Sequence, residues 1–524
     1  MAEHHVDERT PLVRASTVPV PEAVTSPGDG QLSASRKRVI VALTLLTGFL
    51  STLDLTIVAT SILTISSELE AADQEAWIGE SSISAWRADS SDLLGRRMAY
   101  LQALVLFTVG TAFCGIAPTF GFLTASRFLA GMGGGGMGTV ASVLVADLFP
   151  PADRGFYQGL SFAVFGAGMG LGGPIGGALT QAFGWRAAFY AQLPVAAIAL
   201  ILVVLAVPAG AGAPLSWKTL GQVDFGGSLT LLLSIGALLQ LLSRSASPVP
   251  FLDDTSSLTM AAAFVIFFVA FVYVELRVAA KPVLPLSLLS RRTPLCVGII
   301  AGAIAIVNFN MIYHLPMVFD IVFEQDLAVA GSHLLVNSVA MTVSAPVLGL
   351  VVKRTRKYKW ATVLCCIGPV IAMGLLATLR QDSSWAVQWL SVIPMGAGFS
   401  GLLTLTLVAM LNGVEKSEYA VATGFVFVWR SIGQVFGVAL SGAVFQSSLA
   451  GQLSSRFDSP DIIDALRHAS KAIKLLPPAE QALAREAYAH ALRLTFWFGL
   501  GGAVCVLITA FVIPNDRLPD DDSN

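Results

Sequence analysis

Charged residues are scarce in this sequence, and their scarcity excludes an ordinary soluble protein. Asp, Glu, Lys and Arg make up 13% of the 524 residues, whereas an average soluble domain has about a quarter of its residues charged. Hydrophobic residues make up 55%. Several uncharged runs reach the roughly 20 residues that cross a bilayer as a helix: 98–117, 155–185, 187–217, 293–319 and 383–414. The composition therefore predicts an all-α polytopic membrane protein.

Cysteine is also rare, and no signal peptide is visible. The five cysteines are odd in number and all lie in apolar runs, which argues against a disulfide framework. Residues 1–35 contain no apolar core, so we expect residues 1–38 to form a disordered cytosolic tail. We expect no catalytic residue, no metal, no cofactor and no nucleic-acid partner, and hence no enzyme.

The distribution of positive charge predicts the topology. Arg36, Lys37 and Arg38 precede the first apolar run, and a basic cluster at 353–359 follows a later one, so both flanks should be cytosolic. We count about thirteen clear spans and a doubtful one, and an even total would place both termini in the cytosol. The predicted domains are the tail, an N-terminal bundle at 39–208, a linker with two extra membrane helices at 209–292, a C-terminal bundle at 293–513 with a non-cytosolic loop at 450–493, and an acidic tail at 514–524.

The doubtful span lies at residues 77–92, where a second helix is expected. Its sequence IGESSISAWRADSS carries Glu80, Arg87 and Asp89 and is too short and too polar to cross a bilayer by itself. Arg96 and Arg97 follow this segment, and their positive charge places them on the cytosolic side. Either this segment crosses the membrane nonetheless, or the first apolar run is re-entrant.

Glycine is abundant where loops are not expected. Residues 126–177 hold 15 of the 48 glycines, and small residues at four-residue spacing let membrane helices approach closely. We therefore predict two helices packed through glycine faces, with Gly168, Gly172 and Gly176 on one stripe. The match to GxGxxG at 168–173 lacks the strand that a dinucleotide site needs, and Gly131 to Thr139 has no lysine to hold phosphate. An ATP-driven pump is thus unsupported, which leaves an ion gradient or no energy source.

A few polar side chains interrupt the apolar runs. Asp54 stands halfway along the first run and should face the protein interior or a water-filled cavity, as a proton or cation site or as a polar anchor. Arg430 has largely apolar sequence on both sides, and with Gln434, one turn on, it either orients a substrate carboxylate or braces its helix. Asn308 and Asn310 either line a cavity or hydrogen-bond to a neighbouring helix.

Four motifs, in this order, resemble those of the major facilitator superfamily. LDLTIVAT at 53–60 resembles the first-helix motif of its fourteen-span drug:proton antiporter group, and DLLGRR at 92–97 resembles half of the signature loop. RFLAG at 127–131 and GAGMGLGGPIGG at 166–177 resemble the fourth-helix motif and the fifth-helix antiporter motif. A closer resemblance, to fungal vacuolar basic amino-acid transporters, covers residues 39–513 except 78–91. It rests on AGMGGGG at 130–136, RGFYQG at 154–159, GWRAAF at 184–189 and residues 420–446. At 78–91 the family has an apolar second helix, and by this resemblance the helix is defective here because the stretch has lost its apolar character.

The resemblance implies a fold of two six-helix bundles that rock around a midplane site, with two extra helices between them. It implies that Arg127, at the start of the span 128–146, assists proton transfer, although an arginine there could also reach the membrane surface. The implied cytosolic gate is formed by Asp92, Gly95, Arg96 and Arg97. The residues implied to act through backbone approach and bending are Gly168, Gly172, Gly173, Pro174, Gly176 and Gly177.

The predicted function is a proton-coupled antiporter of small molecules. Burial favours the neutral form of a carboxyl group, so Asp54 should hold a proton when no cationic substrate is bound, and proton and substrate would compete for it. Basic amino acids moved into the vacuole are the favoured substrates, and ERTPLV at 8–13, which resembles an acidic dileucine-type sorting signal, agrees with a vacuolar membrane. The alternatives are drug or metabolite efflux at the plasma membrane and a non-transporting sensor or inactive paralogue. We expect a monomer in the lipid bilayer, driven by the proton gradient.

Overall fold

A computed structural model shows the chain as a set of long helices. It describes residues 33–69, 95–208, 225–243, 254–278, 284, 286–325, 327–415, 418–468, 473 and 475–514. Twelve helical segments among these are long and apolar enough to cross a membrane, and a shorter apolar helix lies at Gly226–Leu238. The predictions of an all-α polytopic fold and of about thirteen clear spans are confirmed. Residues 77–92, and with them the doubtful second helix, lie outside the described residues.

The helices of the first half are numbered in chain order. They are α1 Ala34–Glu68, α2 Arg96–Gly115, α3 Phe120–Leu148, α4 Pro151–Phe183, α5 Trp185–Tyr190 and α6 Leu193–Ala206. Between the halves, α7 Phe225–Ser243 and α8 Thr255–Tyr273 pack on each other, as expected for the two extra helices. The linker at 209–224 lies outside the described residues.

The described residues of the second half form six long helices and three short ones. They are α9 Leu286–Leu289, α10 Arg292–Met317, α11 Leu327–Thr355, α12 Lys359–Ala377, α13 Trp385–Leu390, α14 Ile393–Asn412, α15 Tyr419–Ser454, α16 Pro460–His468 and α17 Pro478–Val512. A π-helical turn, Val318–Val322, extends α10. The end of the predicted loop at 450–493 is helical, because α17 runs without interruption from Pro478 into the last span.

The two halves meet mainly where α4 lies along α11. Glycines on α4 allow this approach: a Cβ atom on Gly166 would lie 2.8 Å from Cβ of Met341, and one on Gly170 would lie 2.8 Å from Cβ of Ser338. Since these contacts leave no room for a methyl group, the backbones of α4 and α11 are held close together. The domain limits at 208, 292 and 513 stay predictions.

Both glycine-rich helices pack through glycine faces, as predicted, but each packs on a different neighbour. α3 packs along α2, where a Cβ atom on Gly133 would collide with backbone atoms of Ala103 and Phe107. α4 packs along α1 and α11 instead. Glycine content marks a helix that is closely packed, but it carries no information about which neighbour it packs against.

Candidate functional site

A buried ion pair joins α1 to α3 inside the N-terminal bundle. Arg127 Nη1 donates a hydrogen bond to Asp54 Oδ2 at 2.5 Å. Gln192, which lies between α5 and α6, donates from Nε2 to Asp54 Oδ1 at 3.3 Å. Asp54 and Arg127 are 3% and 1% exposed, so water does not screen their attraction. The first and fourth-helix motifs, 73 residues apart in sequence, thus converge on one carboxylate.

The structure corrects the predicted position of Arg127. Its helix begins at Phe120 rather than at residue 128, so Arg127 lies two turns inside α3 and does not reach the membrane surface. Its guanidinium Nε has no hydrogen-bond partner among the described residues. Residues 120–126, FGFLTAS, are largely apolar, and the predicted start was too late because the charge of Arg127 was taken as the end of the apolar run.

Gln192 is a site residue that the sequence analysis missed. It is 2% exposed, and its side chain also donates to the Ala188 carbonyl at 3.1 Å. The available signal was a single amide side chain in the uncharged run 187–217. Because an amide is common in helices and has no charge to neutralise, it carries less information than Asp54 does.

The glycine stripe of α4 holds α1 in position next to this ion pair. A Cβ atom on Gly168 would lie 3.0 Å from Cβ of Thr52. One on Gly172 would collide with the Thr56 hydroxyl and lie 3.0 Å from the Leu53 carbonyl oxygen. Thr56 Oγ1 also donates to the Gly168 carbonyl at 3.3 Å. These contacts bracket Asp54 on both sides along α1.

The rest of the predicted stripe differs from these two glycines. Gly176 is buried and Gly173 half-buried, while Pro174 lies exposed within the helix. A Cβ atom on Gly177 would meet nothing within 4 Å. Close backbone approach to α1 is therefore established for Gly168 and Gly172, and Gly177 has free space beside it.

The predicted gate residues lie near the start of α2. Gly95 precedes this helix with φ 83°, a conformation that side chains other than glycine rarely adopt. Arg96 Nε donates to Asp147 Oδ2, near the end of α3, at 2.8 Å. Arg97 is half-buried. Asp92 lies outside the described residues, so its part in the gate stays a prediction.

Two contacts link the two bundles near the predicted cytosolic ends of their helices. Lys353 Nζ of α11 lies 2.6 Å from Asp153 Oδ1 of α4. The neighbouring Arg154 donates from Nη1 to the Tyr419 hydroxyl of α15 at 3.0 Å and stacks on the tyrosine ring at 4.8 Å. The partners are about 200 or more residues apart, so no local pattern could identify them. In this conformation the bundles are in contact at these ends.

The polar residues predicted in the C-terminal bundle do not form one cluster. Asn310 donates from Nδ2 to the Thr495 carbonyl of α17 at 2.9 Å, so it links two helices. Asn308 is fully buried, and neither atom of its amide has a partner in the described part of the chain. Arg430 lies between the rings of Phe162 and Phe427, with Gln434 half-buried one turn further along α15.

Within the described ranges, no group of three His, Cys, Asp or Glu side chains is placed to hold a metal ion. The ion pair, the inter-bundle contacts and the buried amides instead provide charges and hydrogen-bond donors inside a helical membrane fold. Such groups suit the binding and release of a polar solute.

Comparison with known proteins gives one consistent result. A family model for the Major Facilitator Superfamily matches residues 44–438. The multidrug resistance protein fnx1 of Schizosaccharomyces pombe is 31% identical over 482 residues, covering 89% of this chain and 90% of that protein. The vacuolar basic amino acid transporter 1 of Saccharomyces cerevisiae is 28% identical over 444 residues, covering 77% of each.

A solved structure agrees at the level of the fold. The proton:xylose symporter XylE, bound to 6-bromo-6-deoxy-D-glucose, has a TM-score of 0.57 at 15% identity and covers 93% of this chain and 98% of its own. The family model covers the Asp54–Arg127 pair, the glycine stripe and Arg430. This chain is a transporter that belongs to the major facilitator superfamily.

Proposed function

We propose that this protein is a proton-coupled antiporter that moves basic amino acids into the vacuole. The observation that carries the proposal is the buried Asp54–Arg127 ion pair, because its carboxylate can exchange a proton for a cation. The similarity to a vacuolar basic amino acid transporter supports the substrate class and the membrane. The protein would act as a monomer with both termini in the cytosol, without a cofactor, driven by the proton gradient.

The proposed exchange takes place on Asp54. A proton that binds Asp54 removes the negative charge that Arg127 contacts, and the strong charge-assisted hydrogen bond becomes a weaker neutral one. A substrate ammonium group that reaches the ionised carboxylate competes with both the proton and the guanidinium. Proton and substrate therefore bind in alternation, and Arg127 compensates the carboxylate in the interval when neither is bound.

Arg127 stabilises the ionised Asp54 in the empty site and also competes with the substrate for it. A buried carboxylate without a partner would cost several kcal/mol, whereas the pair remains stable when the site is empty. Gln192 donates to the second carboxylate oxygen and keeps the carboxyl plane oriented. The substrate must therefore compete with an internal cation, which favours a substrate that carries a full positive charge.

The test is uptake of labelled lysine or arginine by isolated vacuoles that contain this protein. We expect uptake to need ATP-driven acidification and to be abolished by a protonophore. Asp54→Asn should reduce uptake at least about 100-fold, because the amide cannot exchange a proton and breaks a buried ion pair whose disruption costs about 3–5 kcal/mol. Uptake that persists in this variant and in the presence of a protonophore rules the proposal out.

Asp382→Asn is the matched control. Asp382 is exposed in the loop after α12, so the same chemical change should leave uptake unaltered. Equal loss in both variants would show that the effect of Asp54→Asn is not specific to the buried carboxylate.

A second candidate is efflux of a drug or fungal metabolite at the plasma membrane. The 31% identity to a multidrug resistance protein favours it. A fluorescent fusion at the cell surface, together with resistance that depends on Asp54, would support efflux over vacuolar uptake. Ligand binding without flux, even after an apolar second helix is restored at 77–92, would instead support the non-transporting alternative.

A further inference from the structure

Arg430 is a buried cation for which the described residues provide no anion. Its side chain is 5% exposed, and neither Nε nor Nη2 has a hydrogen-bond partner among the described residues. It lies about 16 Å along α15 from the first residue of that helix, which is well inside the membrane-spanning part. Arg127, the other arginine buried at this depth, has Asp54 as its partner.

Two aromatic rings lie next to this guanidinium. Its Cζ atom lies 5.2 Å from the centre of the Phe162 ring and 5.0 Å from that of Phe427. Such cation–π contacts recover only part of the hydration that a buried guanidinium loses. A polar side chain that is kept inside a membrane without a partner generally serves a solute that passes through.

The position of Arg430 lies on the boundary between the two bundles. Phe427 belongs to the same helix, α15, whereas Phe162 belongs to α4 of the N-terminal bundle. A rocking motion that separates α4 from α15 would therefore remove Phe162 from the guanidinium and expose its donors to the central site. In the conformation described here, Phe162 occupies one side of a position that an anionic group could take.

We propose that Arg430 binds the carboxylate of the transported solute. A guanidinium presents two parallel N–H donors that match a carboxylate, and Nε and Nη2 form one such pair. The donors that lack partners are the two that a bidentate carboxylate would fill. Phe162 acts as a gate residue that covers Arg430 when the site is empty.

This inference rests on the proposed function and narrows it. A basic amino acid carries both a cationic group, which competes for Asp54, and a carboxylate, which binds Arg430. Recognition at two sites on opposite bundles would then reject diamines that have the same cationic groups but no carboxylate. The protein should therefore distinguish lysine from cadaverine, which is lysine without its carboxyl group.

The experiment measures the thermal stability of the purified full-length protein in detergent against L-lysine, cadaverine and hexanoate. We expect the wild type to be half-saturated by lysine at a concentration at least about 10-fold below that of cadaverine. In Arg430→Gln the half-saturating concentration of lysine should rise about 10- to 100-fold and approach that of cadaverine. The half-saturating concentration of cadaverine should stay as in the wild type. If Arg430 only braces its helix, the variant should bind lysine and cadaverine equally more weakly than the wild type, and that result would overturn the inference.

Two further variants keep the test decisive. Arg430→Lys retains the charge but not the paired donors, so it should show intermediate discrimination, and it replaces the glutamine variant if that protein does not fold. Arg380→Gln changes an exposed arginine in the loop after α12 and should match the wild type. Full discrimination between lysine and cadaverine in both Arg430 variants would overturn the inference.

Hexanoate separates failure of this inference from failure of the proposed function. If lysine has no effect but hexanoate stabilises the wild type and not Arg430→Gln, the carboxylate site stands and the basic amino-acid substrate is wrong. If lysine is transported while neither lysine nor hexanoate depends on Arg430, the proposed function stands and the carboxylate site is wrong.

Discussion

Replacing Gly172 with leucine should separate α1 from α4 and abolish transport. The first added atom, Cβ, would collide with the Thr56 hydroxyl and lie 3.0 Å from the Leu53 carbonyl oxygen. The remaining three carbon atoms have no space between the two helices. Because Leu53 and Thr56 bracket Asp54, the displaced part of α1 is the turn that positions the buried ion pair.

The magnitude follows from the packing. Excess volume in a close-packed interior costs about 1–3 kcal/mol even when it is a few methylene groups, so a whole leucine side chain at Gly172 should cost about 3 kcal/mol or more. Gly177→Leu is the matched control on the same helix, since a Cβ atom there meets nothing within 4 Å. Both changes gain the same helix propensity, and the difference between them isolates the contact with α1.

The assay compares the two variants with the wild type in two measurements. Unfolding of the detergent-solubilised protein by dodecyl sulfate, followed by tryptophan fluorescence, gives the stability difference. Uptake of labelled lysine by vacuoles gives transport, with resistance to carbonate extraction as the check that the variant is inserted. Wild-type stability and uptake in Gly172→Leu, or equal losses in Gly177→Leu, would refute the packing argument.

Two other predictions concern the ends of α4 and α10. Lys353→Asp and Asp153→Lys should each weaken the contact between the bundles, so cysteines placed in α4 and α11 next to this pair should react more readily with a thiol reagent. The double exchange should restore the wild-type labelling. If it does not, the 2.6 Å pair does not hold the bundles together. Arg291 hydrogen bonds lower the pKa of Glu418 below its ordinary value of 4.5. The stability that this pair contributes is therefore full above about pH 4.5 and falls as pH drops through the lowered pKa. Glu418→Gln should reduce the unfolding midpoint at pH 7 and make no difference in strong acid, and a deficit that persists in acid would contradict this.

The fold could be predicted largely because the bilayer imposes simple rules on sequence. A span needs an apolar run of known length, and charge at its ends sets its direction. These rules identified the first apolar run, the two extra helices and the last span. They failed at the start of α3, where Arg127 was taken as the boundary of the span, although its side chain is buried in the protein and the helix begins at Phe120.

The site could be predicted in its parts but not in its connections. A charged side chain within an apolar run is conspicuous, so Asp54 and Arg430 were found, and a motif resemblance added Arg127. Nothing in the sequence indicates that Asp54 pairs with Arg127 and Gln192 or that Arg430 has two aromatic rings instead of an acid. Gln192 was missed because a single uncharged amide does not require a charged partner inside the membrane.

Membrane insertion, helix number and family are properties of the sequence because each depends on local composition or on short motifs. The sequence does not determine which helices pack on each other, since a glycine face fits any helix that presents a small or flexible surface. Only the tertiary structure shows that α4 uses Gly168 and Gly172 on α1 and Gly166 and Gly170 on α11. The physical reason is that these contacts join residues far apart in sequence, 73 positions for Asp54 and Arg127, where chain geometry, not local pattern, brings charges and backbones together.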